Sequence, residues 1–305
     1  MTDTVRAIVV TFNTKDIALD LLADLRRELA ALPGSQIVVV DNASADGTPD
    51  AVEAAFPDIQ VRRSPANVGF GAAVNLAAAD ASSAAFRWLL LVNPDARIDD
   101  GAVATLVAAA TRDPGHGLYG GRFIDVARGT NEDSVAMLPT LGNLLAFATG
   151  VAPVLRRLGY RSPPRRKANS DREIPVDALP GTFLLVEVDA WRAVGGFDEK
   201  YFMYSEDLDL CVRISATGRR PLYVPQARIR HIGGASSTSG AKEVLKNRSL
   251  VTFLRTHWSP DRARAGRVLL VAGVGLRRLA RLPFRTPAGR WETAWRERRS
   301  WTSGW

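Results

Sequence analysis

The sequence predicts an α/β fold with a mostly parallel central sheet flanked by helices, followed by a helical C-terminal extension. Three observations carry this. As far as Ile98, short β-rich runs alternate with stretches whose apolar residues recur at helical spacing. The runs are apolar throughout instead of alternating, as strands covered on both faces are. The positive charge is concentrated at one end: the net charge is +8, and residues 261–305 hold eleven arginines against three acids, leaving residues 1–260 neutral. The basic character therefore belongs to a tail and not to the sheet.

The elements follow in order. VRAIVVTFN (5–13) is the first strand and DIALDLLADLRRELA (16–30) the first helix. QIVVVDNAS (36–44) is a buried strand ending in Asp41, and DGTPDAVEAAF (46–56) is a helix with acids and a proline in its first turn. IQVRRS (59–64) is a short strand, and NVGFGAAVNLAAADA (67–81) is a glycine-containing loop running into a helix. RWLLLVNPDARI (87–98) is an apolar strand that stops at Asn93-Pro94-Asp95. Beyond about residue 125 the alternation breaks, and YRSPPRRKANSDRE (160–173) marks a mobile loop over about 158–175. Order returns with GTFLLVEVDAWRAVGGFDEKYF (181–202), a strand then a short helix. MYSEDLDLCVR (203–213) is helical from about Ser205, capped by that serine, with Leu208, Cys211 and Val212 as its apolar stripe. RPLYVPQARIRHIGGASS (220–237) supplies two short strands ending at His231, and helices fill the chain from Ala241. The expected division is a domain over 1–240 and a basic, tryptophan-containing extension over 241–305.

Composition narrows the class. An apolar fraction of 46% and a charged fraction of 24% are those of a folded globular protein. The single cysteine, Cys211, offers neither a disulfide nor a cysteine metal cluster and fits a reducing cytoplasm. MTDTVRAIVVTFN reads as a first strand and not as a signal peptide. No window reaches the roughly 18 uninterrupted apolar residues of a membrane-spanning helix. An arginine-rich tail alone would suit nucleic acid, but no nucleic-acid module is evident and the acids at the strand ends would be left without a role.

In an open sheet, ligands bind at the carboxyl ends of the strands. Asn13, Asp41, Asn93 with Asp95, and His231 all stand at such ends. Each has a plainer reading: Asp41 as a turn residue with Asn42, Asn93-Pro94-Asp95 as an ordinary turn, His231 as a hydrogen-bonded strand end. NVGFGAAVN adds glycines that let backbone approach a ligand, ahead of a helix N-terminus suited to an anion such as a diphosphate. The G-x-G-x-x-G spacing and the P-loop G-K-[ST] are both missing, which removes the main support for a dinucleotide enzyme or a nucleotide hydrolase.

Taken in order, VVTFN, IVVVDNASADGT, NVGFGAAVN, LLLVNPDARI, GTFLLVEVDAWRAVGGFDEKYFMYSEDLDLCVR and RIRHIGG resemble the family 2 inverting glycosyltransferases of the GT-A fold. Within that family the likeness is to bacterial rhamnosyltransferases that extend a polyprenyl-diphosphate-linked sugar. It spans residues 5–237. The resemblance implies that Thr11, Phe12, Asn13 and Asp41 hold the base and ribose of a nucleotide-sugar donor, with Asn67, Gly69, Asn75 and Asn93 bordering it. It implies that Asp95 binds a divalent cation, Mn2+ or Mg2+, which bridges the diphosphate, and that His231 stands where some relatives add a ligand. The family's usual motif has two acids where this chain has Asn93 and Asp95, and one carboxylate with substrate phosphates can suffice for magnesium.

Inverting transfer needs a base opposite the leaving group. The resemblance gives that role to Asp207, with Glu206 as its acidic neighbour at the acceptor. First-turn acids are also common simply because they stabilise helices. Asp209 precedes Arg213 by four residues, the spacing of a helix-face ion pair; Arg213 reaching the diphosphate is the alternative. The donor implied is dTDP-L-rhamnose, with UDP-activated sugars such as galactofuranose, and a non-catalytic sugar-nucleotide-binding protein, left open.

RVLLVAGVGLRRLARLPFR (267–285) is too short to span a bilayer but suits a helix lying on an anionic lipid surface. Trp258, Trp291, Trp295 and Trp301 lie in the same region, and tryptophan favours membrane interfaces. A contact with the catalytic domain or with a second subunit in a homodimer is the alternative. The lipid-linked acceptor places the protein on the inner face of the plasma membrane.

Overall fold

The computed structural model describes residues 3–79, 86–125, 134–151, 154, 157–158, 167–231, 239–280 and 289–305. In chain order the first elements are β1 (Val5–Thr11), α1 (Lys15–Leu29), β2 (Gln36–Asp41), α2 (Thr48–Ala55), β3 (Gln60–Arg63) and α3 (Phe70–Ala79). Next come β4 (Trp88–Val92), β5 (Ala96–Ile98), α4 (Ala102–Arg112), β6 (Leu118–Asp125), α5 (Leu141–Thr149) and β7 (Ile174–Pro175). They are followed by β8 (Phe183–Glu187), α6 (Val188–Val194), α7 (Glu206–Ser215) and β9 (Leu222–His231). Helices α8 (Ser239–His257), α9 (Pro260–Leu279), α10 (Arg290–Arg296) and α11 (Arg298–Trp301) close the chain.

The chain falls into two compact units, Met1–Met137 with Pro163–Asp198 and Asp207–Ser236, and Leu138–Ser162 with Glu199–Glu206 and Ser237–Trp305. The helical extension expected from residue 241 thus stands together with two earlier segments.

The first unit is built on a nine-stranded sheet of order β3-β2-β1-β4-β8-β6-β9-β5, with β7 beside β9. The β3–β4 half is parallel, as the alternation of strands and helices predicts. Antiparallel pairing enters with β8, which lies between β4 and β6, and with β5 and β7 against β9. The sheet is therefore mixed. Every residue of β1 and of β4 is buried, so neither strand shows an alternating pattern. On the face covered by α1 and α4, Leu21, Leu22, Leu25, Val103 and Leu106 pack onto Val9, Val39 and Leu90 in one core. Two buried acids of α1 hold this layer. Asp24 accepts from Arg97 Nε (2.7 Å) and the Ile98 N–H (3.1 Å), and Glu28 accepts from the N–H groups of Gly101 and Val103 at the start of α4.

Several expectations are corrected here. Residues 222–231 form one strand, not two short ones. Pro225 falls where the β6–β9 register shifts, between Gly121 and Arg122, so its missing N–H interrupts no ladder. A Cβ on Gly121 would run into the Ala227 carbonyl oxygen, which explains the glycine at that close approach. The buried stripe of α7 is Leu210, Cys211 and Ile214, not Leu208, Cys211 and Val212. Ser205 has φ +63, outside the extended geometry of an N-cap. Of the loop expected over 158–175, residues 159–166 lie outside the described residues, and 174–175 form β7.

The second unit is helical. Trp291, Trp301, Val251, Leu270 and Val274 form one core cluster, and Leu144, Leu254 and Ala263 another. Trp301 Nε1 donates to the Ala294 carbonyl (2.7 Å). Gly266, Gly273 and Gly275 of α9 are notches that seat Trp258, Phe147 and Trp295; a Cβ at any of them would collide with the ring. The four tryptophans read as interfacial anchors are thus packing residues of this unit. Trp305 is held as well: its indole N–H donates to Ser249 Oγ, which donates to the Met203 carbonyl, while Arg248 stacks on its ring.

Candidate active site

Strand register sets the floor of the site. Thr11 lies level with Asp41 at the carboxyl ends of β1 and β2, and Val9 lies level with Val92 of β4, so Asn93 continues from the same edge. Asp41 is buried. Its Oδ1 accepts from Thr11 Oγ1 (2.9 Å) and its Oδ2 from the Ser44 N–H (2.8 Å), which fixes the carboxylate in one orientation. Asn13 adopts φ +52, a left-handed conformation that asparagine tolerates. Its Oδ1 accepts from the Ala45 N–H and its own N–H donates to Ser44 Oγ, both at 2.8 Å, so the loops after β1 and β2 are tied together. Phe12 projects its ring to solvent beside them.

The glycine loop is held to this edge by a residue that the sequence reading treated only as a turn partner. Asn42 Nδ2 donates to the Gly69 carbonyl (3.1 Å), and the Gly69 N–H donates to Asn67 Oδ1 (3.0 Å). Gly69 has φ +88, a conformation open to glycine. The buried Oδ1 of Asn42 accepts no hydrogen bond among the described residues. The only sequence signal for this role is adjacency to Asp41.

Asn93 and Asp95 occupy the turn from β4 to β5. The Asn93 N–H donates to the Thr182 carbonyl (3.0 Å), and its side-chain amide approaches Thr182 Oγ1 at 3.5 Å. Asp95 is half-buried, one residue before Ala96, which pairs with His231 of β9; His231 is also in register with Asp125 at the end of β6. The backbone positions of Asp95, Asp125 and His231 therefore fall at one end of the sheet. Among the described residues no three His, Cys, Asp or Glu side chains form a metal-holding group. A single carboxylate with a nearby histidine position still fits a hard cation that takes its remaining ligands from substrate phosphates and water.

Asp207 stands in the first turn of α7, and two backbone N–H groups orient its carboxylate: Gly181 to Oδ2 (3.1 Å) and Leu208 to Oδ1 (2.8 Å). Burial raises its pKa, and these two hydrogen bonds offset only part of the rise. Tyr204 and Ser205, directly ahead of α7, both have positive φ (70° and 63°), a conformation costly for non-glycine residues. Glu206, the first residue of α7, is buried. One short segment links Asp207 to the strand edge. Leu179 is pinned through its N–H to Cys211 Sγ, Gly181 holds Asp207, and Thr182 holds Asn93. Sequence reasoning placed Gly181 and Thr182 at the start of a strand and gave them no site role. Cys211 is a buried packing group whose thiol burial pushes up to about 12.

Two predicted residues are not brought to this edge by their contacts. Asn75 donates through Nδ2 to the Phe197 carbonyl and accepts at Oδ1 from the Phe197 N–H, both at 3.0 Å, clamping α3 to the segment after α6. Arg213 pairs with Asp209 through Nε (2.6 Å) and donates from NH1 to the Val194 carbonyl (2.8 Å). The helix-face pair between Asp209 and Arg213 is therefore present.

A polar strand edge, a glycine loop ahead of a helix, and a half-buried carboxylate tied to that edge through Gly181 and Thr182 fit a transferase of activated sugars. The chain belongs to glycosyl transferase family 2, whose profile matches residues 7–161. It is 33% identical over 241 residues to the N-acetylglucosaminyl-diphospho-decaprenol L-rhamnosyltransferase of Mycobacterium tuberculosis, covering 76% of each chain. Over 110 residues it is 36% identical to rhamnosyltransferase WbbL of Escherichia coli, covering 36% of this chain and 38% of that one. Its fold is similar to the mannosyltransferase PcManGT of Pyrobaculum calidifontis, solved with GDP-Man and Mn2+, at a TM-score of 0.59 and 18% identity over 99% of this chain and 84% of that one. The protein is a glycosyltransferase with the GT-A fold.

Proposed function

We propose that the protein transfers L-rhamnose from dTDP-L-rhamnose, with inversion, to a lipid-linked saccharide such as N-acetylglucosaminyl-diphospho-polyprenol, in cell-wall or surface-polysaccharide synthesis. The observation that carries the reaction is the Asp207 carboxylate, held by Gly181 and joined through Thr182 to the Asn93-Pro94-Asp95 turn. The donor and acceptor rest on the rhamnosyltransferase that matches 76% of the chain.

In this reading Thr11, Phe12, Asn13 and Asp41 bind the base and ribose, with Asn67, Gly69 and Asn93 along the diphosphate and sugar. Asp95, with the His231 position, would hold Mn2+ or Mg2+, whose charge would offset that of the departing diphosphate. Asp207 takes the proton of the acceptor hydroxyl as its oxygen bonds to the anomeric carbon. The bond to the diphosphate breaks on the opposite face, and dTDP leaves with the electron pair. Glu206 orients the acceptor. Burial suits Asp207 to this task by raising its affinity for that proton. The lipid-linked acceptor sets the work at the cytoplasmic face of the plasma membrane, with the C-terminal region as the peripheral contact.

The test is a thermal-shift screen of sugar nucleotides with and without Mn2+ or Mg2+. Selective stabilisation by dTDP-L-rhamnose is expected, because a ligand that binds only the folded state raises Tm by mass action. Selective stabilisation by a UDP-sugar would contradict the donor assignment.

A further inference from the structure

Helix α9 has two unlike faces. Ala263, Gly266, Leu270, Gly273 and Val274 are buried against the helices of the second unit. On its other side Ala265, Val268, Ala272, Leu276 and Leu279 are all exposed and recur three or four residues apart, so they form one stripe along the helix. Val268, Leu276 and Leu279 leave 60%, 43% and 56% of their surface in solvent. Helix α5 lies alongside and adds Leu141 and Leu145, which with Val268, Leu269, Ala265 and Arg264 line an open groove of about 620 Å³. Of the twelve large apolar side chains exposed among the described residues, eight belong to this smaller unit. Apolar side chains that gather on one exposed face point to a partner more than the same residues scattered singly would.

Charge says which kind. The second unit carries 19 lysines and arginines against six acids, a net of +13, while the remainder of the chain has a net of −5. Arg262, Arg264 and Arg267 are exposed on the N-terminal half of α9, next to the stripe; the one acid of this turn, Asp261, lines the groove and pairs with Arg264 (3.2 Å) in an exposed ion pair that phosphates can replace. A second copy would bring two strongly basic units together, whereas an anionic bilayer attracts each arginine and accepts the apolar stripe at the headgroup boundary. No helix among the described residues is long and apolar enough to cross a membrane.

We propose that the exposed α5–α9 face docks the protein on an anionic phospholipid surface, with the α9 stripe inserted at the headgroup boundary and Arg262, Arg264 and Arg267 on the phosphates. The proposal deepens the lipid-linked-acceptor reading and rests on it. The full-length protein is sedimented with phosphatidylglycerol–phosphatidylcholine vesicles and with phosphatidylcholine vesicles, at low and raised salt. Wild type is expected to bind the anionic vesicles and to lose most of that binding in salt. The Val268→Ser/Leu276→Asn variant is expected to bind at least about 10-fold more weakly, and Arg264→Gln/Arg267→Gln to show a shallower salt dependence. Rhamnosyl transfer to a short-chain acceptor is read in parallel, and neither variant is expected to change it. Equal binding by wild type and both variants overturns the proposal. So does a wild-type dimer in sedimentation velocity that Val268→Ser/Leu276→Asn abolishes, which gives the face to a second copy. Vesicle binding without transfer to any acceptor refutes the transferase reading and leaves the docking face standing; transfer without vesicle binding does the reverse.

Discussion

Asp24, which is buried, and Asp207, which is half-buried, have opposite electrostatics. Asp24 is buried, which opposes ionisation, but the hydrogen bonds from Arg97, the Ile98 N–H and Arg27 outweigh that and lower its pKa. Its contribution to stability is present above the unfolded pKa and fades as pH falls through the folded one. At Asp207 the hydrogen bonds from the Gly181 and Leu208 N–H groups do not outweigh burial, and the pKa is raised. Between its unfolded and folded pKa values the native state binds more protons than the unfolded one, so stability falls as pH rises through that window and stays lowered above it. Asp207→Asn removes that burden and is expected to leave Tm unchanged or raised, whereas Asp24→Ala, which strands the buried Ile98 N–H, is expected to lose about 1–3 kcal/mol. Circular-dichroism melts of both variants check this. The same sign governs catalysis: the base must be ionised, so kcat is expected to fall as pH drops through the raised pKa. An acid limb lying at or below the ordinary carboxylate value would contradict it. The sequence identified Asp207 through its company, SEDLDL after GGFDE, but no pattern in it exposes the Gly181 hydrogen bond that orients the carboxylate.

Strands β1, β2 and β4 were legible because burial on both faces leaves unbroken apolar runs, and strand ends then point to Thr11, Asp41 and Asn93. Strand β9 was not, because Pro225 looks like a break until the register shift opposite Gly121 is seen. Helix α5 was missed inside a stretch that begins and ends in proline, charge and serine. Asn75 shows the deeper limit: its amide is matched to the backbone of Phe197, 122 residues away, which no local pattern encodes. Asn42 is the counterpart at the strand edge, since its side chain ties β2 to the Gly69 loop. Asn42→Ala would leave the Gly69 carbonyl without that donor at a cost of about 1–3 kcal/mol. The expected outcome is a raised KM for the donor, with the loop displaced and kcat much less affected. Calorimetric donor titration checks it, and an unchanged affinity would take Asn42 out of the site.

At the scale of the molecule, chemistry and charge are separated. The unit that holds the strand-edge acids and Asp207 has a net charge of −5, and the helical unit +13. The sequence displayed this asymmetry only in part, because residues 138–162 join the basic unit from the middle of the chain. Its tryptophans also misled: Trp291 and Trp301 look like interface anchors in the sequence, and in the fold they are core. The apolar residues that do face solvent, Val268, Leu276 and Leu279, alternate along α9 with the buried ones, so the two sets separate only once α5 is placed. The central claim joins one carboxylate to one reaction, and a transfer assay tests it directly. Wild type and Asp207→Asn are given dTDP-L-rhamnose, a divalent cation and N-acetylglucosaminyl-diphospho-polyprenol, and the product's anomeric configuration is read by NMR. The expected result is an inverted rhamnosyl product from wild type and a turnover lowered by about 10²–10⁴-fold in the variant, with donor affinity retained. A retained configuration, or more than about a tenth of wild-type turnover in Asp207→Asn, would contradict it.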